Sequence, residues 1–506
     1  MMSDWPTVKI EDIADVKSGK RLPKDQNLTE QVTPYPYIRL VDIADGRIQD
    51  SNLKYLNEET KRIIKRYIVN TNDVCLAIVG HSIGMVFYVE DKWDNANLTE
   101  NAARITNVEE SFNPRFIYYY LTSLEGQNEI IARKVGSAQG KLPLYNIRSL
   151  ELPKIPRMIQ DSIVSTLDSL SFKIELNRQT NQTLEAIAQA IFKSWFVDFD
   201  PTRAKIAANE CGQARTAGAS TEELIAQLLE DGRWTKHQAQ TIAQGDPELA
   251  AMSAISGQFV SAEANKGDET QEQNPQLTAE KLEELSQTAA LFPSVLVDSE
   301  LGEMPEGWEV TTLGNVTTEL RRGISPKYTE TDGIQVINQK CIRNHSINFA
   351  LTRLHDPVKR NVIERQVKLG DVLVNSTGVG TLGRVAPVRF LPEPTVFDSH
   401  VTVVRADTNK ISKMFLCGLM LEKESFIEAS GAGSTGQTEL RKQVLEDIDF
   451  ALPPIGLGRM FEGVVEPMSK QIATLEIQQK SLSESRDALL PKLLSGELEL
   501  DLGEPS

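Results

Sequence analysis

Cysteine is scarce in this chain: Cys75, Cys211, Cys341 and Cys417 are four among 506 residues, and no two stand at a C-x-x-C spacing. That excludes a disulfide framework and a cysteine-based zinc site, and it fits reduced thiols in a cytoplasm. The five histidines (His81, His237, His345, His355, His400) show no ligand spacing either. No run of about 18 apolar residues occurs, which excludes a membrane-spanning helix. The opening MMSDWPTVKIEDIADV has neither the basic nor the apolar region of a signal peptide. Positive charge is in deficit, with a formal net charge of −17, and this at first argues against a nucleic-acid partner. What is present is ordinary: 40% apolar and 25% charged residues, the composition of a soluble globular protein. The length calls for two or more domains.

The charge deficit is local. Residues 1–156 hold 20 Lys and Arg against 21 Asp and Glu, and residues 306–457 hold 18 of each. Residues 202–305 hold 7 against 17, a net of −10, and residues 157–201 and 458–506 add −2 and −4. Net charge governs solubility and non-specific binding, so the two large balanced segments remain free to carry a basic face.

Those two segments are copies of one another. WPTVKIEDIADVKSGKRLPK (5–24) aligns with WEVTTLGNVTTELRRGISPK (308–327), NDVCLAIVGHSIGMV (72–86) with GDVLVNSTGVGTLGRV (370–385), and VGSAQGKLPLYNIRSLELPKIP (135–156) with AGSTGQTELRKQVLEDIDFALPPI (432–455). The offset stays near 300 residues, which is a duplicated domain and not a solenoid. Two apparent nucleotide motifs dissolve against this repeat. GAGSTGQT (431–438) misses the phosphate-loop signature by one residue, Gln437 standing where lysine belongs, and its counterpart KVGSAQGKL lacks the spacing altogether. GVGTLG (378–383) runs into RVAPVRF, which reads as strand. The dinucleotide fingerprint needs a helix there, so a β-turn is expected.

A heptad-patterned helix follows each copy. The first seam reads Ile163, Leu167, Leu170, Ile174, Asn177, Asn181, Leu184, Ala188, Ile191, Trp195, and the second Phe461, Val465, Met468, Ile472, Leu475, Gln479, Leu482, Arg486, Leu489, Leu493. Both alternate four and three, the a/d pattern of a coiled coil, and polar seam residues select register and partner. Equal length and matched placement favour the two pairing with each other; paired antiparallel, they would hold the two globular domains at opposite ends of a rod of roughly 50 Å for about 33 residues. Pro491 is expected to kink or end the second helix near Asp487. Between the copies, TEELIAQLLE and LTAEKLEELSQTAALF read as two short helices flanking a flexible linker, SAEANKGDETQEQNPQ.

On these residues the chain resembles the specificity subunit of type I restriction–modification enzymes. The resemblance covers nearly the whole chain, and NQTLEAIAQAIFKSWFVDFDP (181–201), TAALFPSVLVDSELGEMPEGWEV (288–310) and SESRDALLPKLLSGELEL (483–500) carry it most specifically. It implies an α+β protein: two duplicated α/β target-recognition domains separated by a long antiparallel two-helix coiled coil. The expected boundaries are 1–156 for the first recognition domain, 157–201 for the central helix and 202–305 for the acidic helical and linker region. The second recognition domain follows at 306–457, the C-terminal helix at 458–498 and a tail at 499–506. Each recognition domain would read one half of a split, asymmetric double-stranded DNA sequence. The coiled coil would set the spacer and dock two methylation (modification) subunits, and restriction subunits would join that core. S-adenosylmethionine, ATP and magnesium would be used by the partner subunits and by nothing in this chain.

Cations neutralise phosphates, while Asn, Gln, Arg and Ser or Thr read base edges. Loops present in both copies are therefore the candidates. They offer Lys17, Lys20, Arg21 and Lys24, matched by Arg321, Arg322, Ser325 and Lys327. His81 and Ser82 are matched by Ser376, Thr377, Thr381 and Arg384, and Ser137, Gln139 and Lys141 by Ser434 and Gln437. YIRL and INQK add Arg39, Asn338, Gln339 and Lys340. No catalytic constellation accompanies them. NPRF (113–116) departs from the amino-methyltransferase motif at Arg115, and Asn113-Pro114 reads as a helix cap and first-turn proline. VDFDP (197–201) has no following lysine on a strand, as a nuclease would need. A non-catalytic subunit is expected; the alternatives are a bidentate protein-binding scaffold and a single-chain S-adenosylmethionine-dependent DNA methyltransferase.

Overall fold

The computed structural model describes residues 5–50, 53–136, 140–264, 279–360, 362, 365–378, 380–392, 394–431, 439–495 and 497–498, and it divides into two compact units, 1–177 with 477–506, and 178–476. Each unit contains one repeat and half of each long helix.

The repeats correspond strand for strand. In the first, a four-stranded antiparallel sheet runs in the order Asp15–Ser18, Ala102–Thr106, Val74–Ala77, Val86–Tyr88; in the second, Thr317–Arg322, Val401–Ala406, Val372–Asn375, Val385–Pro387. Their central strands are apolar without alternation because both faces are covered. Val74 and Leu76 face one core with Ile105 and Ile117, while Cys75 faces another with Phe87 and Trp93. Val372 and Val374 divide from Leu373 in the same way. A smaller sheet built on a parallel pair accompanies each: Pro36–Ile38 with Asn97–Leu98, and Ile334–Ile337 with Thr395–Phe397. A two-residue-strand hairpin follows in each (Ile43–Ile48; Ile342–Ile347). The opening strand of each repeat pairs with its closing strand, Thr7–Lys9 with Glu151–Pro153 and Glu309–Thr312 with Asp449–Leu452, so each repeat closes on itself. The closing strand is reached through a short helix, Leu144–Arg148 or Lys442–Glu446. Asn113 caps the helix Pro114–Thr122 by accepting from the Arg115 N–H at 2.9 Å, as its sequence suggests. GVGTLG lies between the antiparallel strands Val372–Asn375 and Val385–Pro387, as a turn.

The long helices span Arg157–Phe196 and Ile455–Ser495. They run antiparallel in both units. In the first, Ile163 and Leu167 pack with Leu490 and Leu493, and Asn177 donates to the Gln478 side chain at 2.7 Å. In the second, Phe192 stands 5.8 Å from Phe461, and Asn181 donates to the Ile472 carbonyl at 3.5 Å. Ile163, Leu167, Asn177, Ile191, Trp195, Phe461, Val465, Ile472, Leu475 and Leu493 are buried; Leu170, Ile174, Asn181, Leu184, Ala188, Met468, Gln479, Leu482, Arg486 and Leu489 are half-buried. The break expected at Pro491 does not occur: the helix runs on to Ser495. Pro491 is exposed, so water can take the carbonyl it orphans, and the buried neighbours Leu490 and Leu493 hold the turn.

Residues 200–256 also correct the sequence reading. Four helices, Asp200–Thr216, Thr221–Glu230, Lys236–Ile242 and Pro247–Ala264, stand where one was expected. Their core is rich in alanine (Ala204, Ala208, Ala239, Ala250, Ala254) around Trp234 and Leu224, which leaves little apolar contrast to read. A Cβ on Gly245, in the turn before the fourth helix, would lie 2.9 Å from Gly212 Cα, so small residues let that turn press against the first helix. The helix Ala279–Ala290 and the hairpin Leu296–Pro305 lead into the second repeat; residues 265–276 of the linker stretch SAEANKGDETQEQNPQ lie outside the described residues.

At the end of the first long helix, Trp195, Phe192 and Phe196 are buried among Phe292, Trp308, Phe415 and Phe461. Trp195→Ala is expected to destabilise this unit by about 3–5 kcal/mol, the cost of truncating a buried aromatic. Denaturant unfolding of the full chain checks it; a midpoint equal to that of the parent would refute this role for the cluster.

Candidate nucleic-acid interface

One glycine in each repeat explains why KSG and RRG align. A Cβ on Gly19 would fall 2.0 Å from the Thr99 carbonyl oxygen, and one on Gly323 would fall 2.0 Å from that of Phe397. The chain after the first sheet strand is thereby pressed against the loop before the partner strand. From there the backbone knits four loops into a rim. In the first repeat, Ile78 N–H donates to Asn101, Leu142 N–H to Ile78, and Gly80 N–H to Gly140, each at 2.9 Å. In the second, Ser376 N–H donates to His400 and Leu440 N–H to Ser376, each at 2.8 Å. Val79 bridges Lys141 as Thr377 bridges Glu439.

At the far end of each rim strand a matched aspartate forms a buried ion pair with an arginine of the neighbouring strand, though from different positions along it. Arg104 meets Asp73 at 3.2 Å, and Arg405 meets Asp371 at 2.7 Å. Both carboxylates are buried, and burial pushes the Asp73 carboxyl up from its ordinary value. A buried pair of this kind fixes geometry more than it adds stability.

The sequence candidates divide along this line. At the first rim, Lys20 lies 5.4 Å from the Tyr67 ring centre, Arg21 is 85% exposed beside Glu100 at 3.6 Å, and Lys24 is exposed. Exposed Lys17 pairs with Asp15 at 2.9 Å. His81 and Ser82 form a short turn next to Lys141. At the second rim, Thr377 contacts Gln339 at 3.2 Å and His400 at 2.8 Å, Thr381 donates to the Thr377 carbonyl at 3.2 Å, and Arg384 donates to Gly380 at 2.7 Å. Lys340, Ser325 and Lys327 are exposed.

Other candidates are engaged inside the fold. Ser376 is fully buried and hydrogen-bonded to Thr402, because the strand before it continues into the core. Asn338 is buried, donating to the Leu351 carbonyl and accepting from the Lys340 N–H. Arg39 makes a two-pronged pair with Asp42 at 2.6 and 3.0 Å. Arg321 is held by Glu319, and Arg322 by Glu439 and the Leu440 carbonyl. Ser137, Gln139, Ser434 and Gln437 lie outside the described residues. His400 is a rim residue that the sequence reading passed over; nothing marks it until the loops are assembled.

The second repeat is fixed to both helices by a charged cluster. His345 sits between Glu424, at 2.7 Å, and Glu185 of the first helix, at 3.5 Å; Arg389 pairs with Glu185, and Ser346 with Glu476 of the second helix.

This is a protein that presents two versions of one loop rim on duplicated scaffolds, each carried by an antiparallel helix pair. The family model described as the type I restriction modification DNA specificity domain matches residues 2–186. The HindI specificity subunit of Haemophilus influenzae is 25% identical over 516 residues, 98% of this chain and 100% of that one. The EcoBI specificity subunit of Escherichia coli is 26% identical over 151 residues, 30% of this chain and 31% of its own. A solved S subunit of a type I restriction–modification system from M. genitalium covers 97% of this chain and 96% of its own, at 13% identity and a TM-score of 0.48. Residues 2–186 thus match the type I restriction modification DNA specificity domain, and the likeness to a specificity subunit extends over nearly the whole chain. No helix among the described residues is long and apolar enough to cross a membrane.

The cluster around His345 gives a pH prediction. Contacts with Glu185 and then Glu424 hold its pKa up to about 9, against burial. A folded-state pKa raised above the unfolded value, about 6.5, gives stability present in full below that value and lost as pH rises through the folded pKa. Denaturation midpoints of the full chain should therefore fall between about pH 6.5 and 9. His345→Gln should flatten that fall, and an unchanged slope would show that the clamp does not form.

Proposed function

We propose that each repeat reads one half of a split, asymmetric DNA sequence and that the helix pair sets the spacer and docks two methylation subunits, to which restriction subunits are added. The observation that carries this reading is the contrast within the duplication. The framework is kept in both repeats (the close-approach glycines Gly19 and Gly323, and the buried aspartates Asp73 and Asp371, each paired with an arginine of the neighbouring strand), while the rim side chains differ. A scaffold kept in duplicate with two different rims suits two different half-sites better than one repeated ligand. The exposed cations Lys20, Arg21, Lys24, Lys327 and Lys340 suit phosphates, and the neutral polar side chains suit base edges. The chain works in the cytoplasm and holds no cofactor of its own; S-adenosylmethionine, ATP and magnesium are used by the partner subunits.

Methylome sequencing of cells carrying the chain with its cognate modification subunit should show methylated adenines in one bipartite motif, absent when this chain alone is deleted. DNA affinity of the assembled methyltransferase should fall linearly in log–log terms with salt, with a slope of about −0.9 per phosphate contacted. Methylation unaffected by deletion, together with salt-independent partner binding, would favour a protein-binding scaffold instead.

A further inference from the structure

The second rim contains a three-residue chain with no equivalent in the first: Gln339, Thr377 and His400. Backbone hydrogen bonds align the two repeats position by position. Asp42 N–H to Arg39 corresponds to Cys341 N–H to Asn338, and Ile78 N–H to Asn101 corresponds to Ser376 N–H to His400. Gln339 therefore occupies the place of Leu40, Thr377 that of Val79, and His400 that of Asn101.

The chain is polarised by the Gln339 amide, whose Oε1 faces Thr377. Thr377 has one hydroxyl hydrogen, and the Gln339 Oε1, 3.2 Å away, can only accept. Thr377 therefore donates to Gln339. The His400 Nδ1, 2.8 Å from the same hydroxyl, must then carry its hydrogen and donate to Thr377. In the neutral ring that leaves Nε2 as an acceptor. His400 is exposed, and among the described residues neither its Nε2 nor the Gln339 amide nitrogen has a hydrogen-bond partner. The backbone N–H of His400 donates to the Asp398 carboxylate at 2.9 Å, which fixes the main chain from which the ring projects, and the Thr377 contact orients the ring.

We infer that His400 and Gln339 are base-reading residues of the second repeat, specific for adenine. An orientation-locked acceptor beside an amide donor matches the adenine edge, which shows an N6 amino donor and an N7 acceptor in the major groove. Guanine shows two acceptors there, cytosine one donor, and thymine an acceptor and a methyl group. Thr377 is a positioning residue, acting by setting the hydrogen on His400. Leu40 and Val79 remove such a chain from the first repeat, so the discrimination belongs to one half-site.

This rests on the reading of the repeats as DNA-recognition domains. The test is methylome sequencing with the cognate modification subunit for the parent chain, His400→Ala and Thr377→Val, the last placing the first repeat's own residue in the second. His400→Ala should lower discrimination at one adenine position of one half-site by roughly tenfold or more. Thr377→Val should give a smaller loss at the same position, and the other half-site should be unchanged. An unchanged motif in both variants, relaxation at a guanine, cytosine or thymine, relaxation in both half-sites, or complete loss of methylation in both variants would each overturn the inference. Absence of any bipartite motif with the parent chain would instead defeat the functional reading beneath it.

Discussion

The second unit depends on the insertion of one aromatic cluster. Phe192, Trp195 and Phe196 lie within two turns of the first long helix, and they meet four separate pieces of chain. These are Phe461 of the second helix, Phe415 of the second repeat, Phe292 after the acidic helical region and Trp308 at the start of the repeat, with ring centres 4.7–6.0 Å apart. Phe199 adds to it from a left-handed backbone conformation (φ 55°), stacking edge-on against Trp308 at 5.4 Å. A bulky side chain in that region costs conformational energy and persists only where packing over-determines it. The helix therefore cannot shift along its axis without disturbing the repeat. Where the helices pair, the repeat follows.

That rigidity gives the rim loops their value. A loop side chain discriminates between bases only if its donor and acceptor are held in place, because a mobile group meets every base edge equally well. Each repeat solves this twice. Gly19 and Gly323 let the backbone come within a distance no side chain permits, and the buried Arg104–Asp73 and Arg405–Asp371 pairs tie neighbouring sheet strands together at the ends away from the rim. On that base the rim can vary: Leu40, Val79 and Asn101 in one copy, Gln339, Thr377 and His400 in the other, with no change to the strands that carry them.

The duplication, the α+β class and the paired helices were legible in the sequence because each leaves a periodic or repeated trace. The seam positions recur at four and three, and the long helices keep that pattern from Ile163 to Trp195 and from Phe461 to Leu493. What was not legible lacks such a trace. The helices of residues 200–256 pack through alanine and glycine, whose apolar contrast with their surroundings is small. Pro491 signals a stop that burial of Leu490 and Leu493 overrides. Among the rim candidates, Ser376 and Thr377 are neighbours in one polar run, yet one is in the core and the other at the surface, since alternation along a strand end decides which is which. His400 has no motif at all; the side chain it contacts, Thr377, lies 23 positions away along the chain, and Gln339, which Thr377 contacts in turn, lies 61 away.

Acidity and DNA recognition do not conflict in this molecule, and the distribution of charge shows why. The excess of Asp and Glu is concentrated in residues 202–305, while each repeat is near neutral. At physiological salt, interactions between exposed charges fade over about 8 Å, so what Lys20, Arg21 and Lys24 present is set by their near neighbours and not by the net charge of the chain. Near-neutral repeats also hold down sequence-independent attraction, which scales with the phosphates neutralised. A recognition subunit would gain from that: the smaller the non-specific term, the larger the share of binding that depends on base-edge contacts such as those proposed for His400 and Gln339.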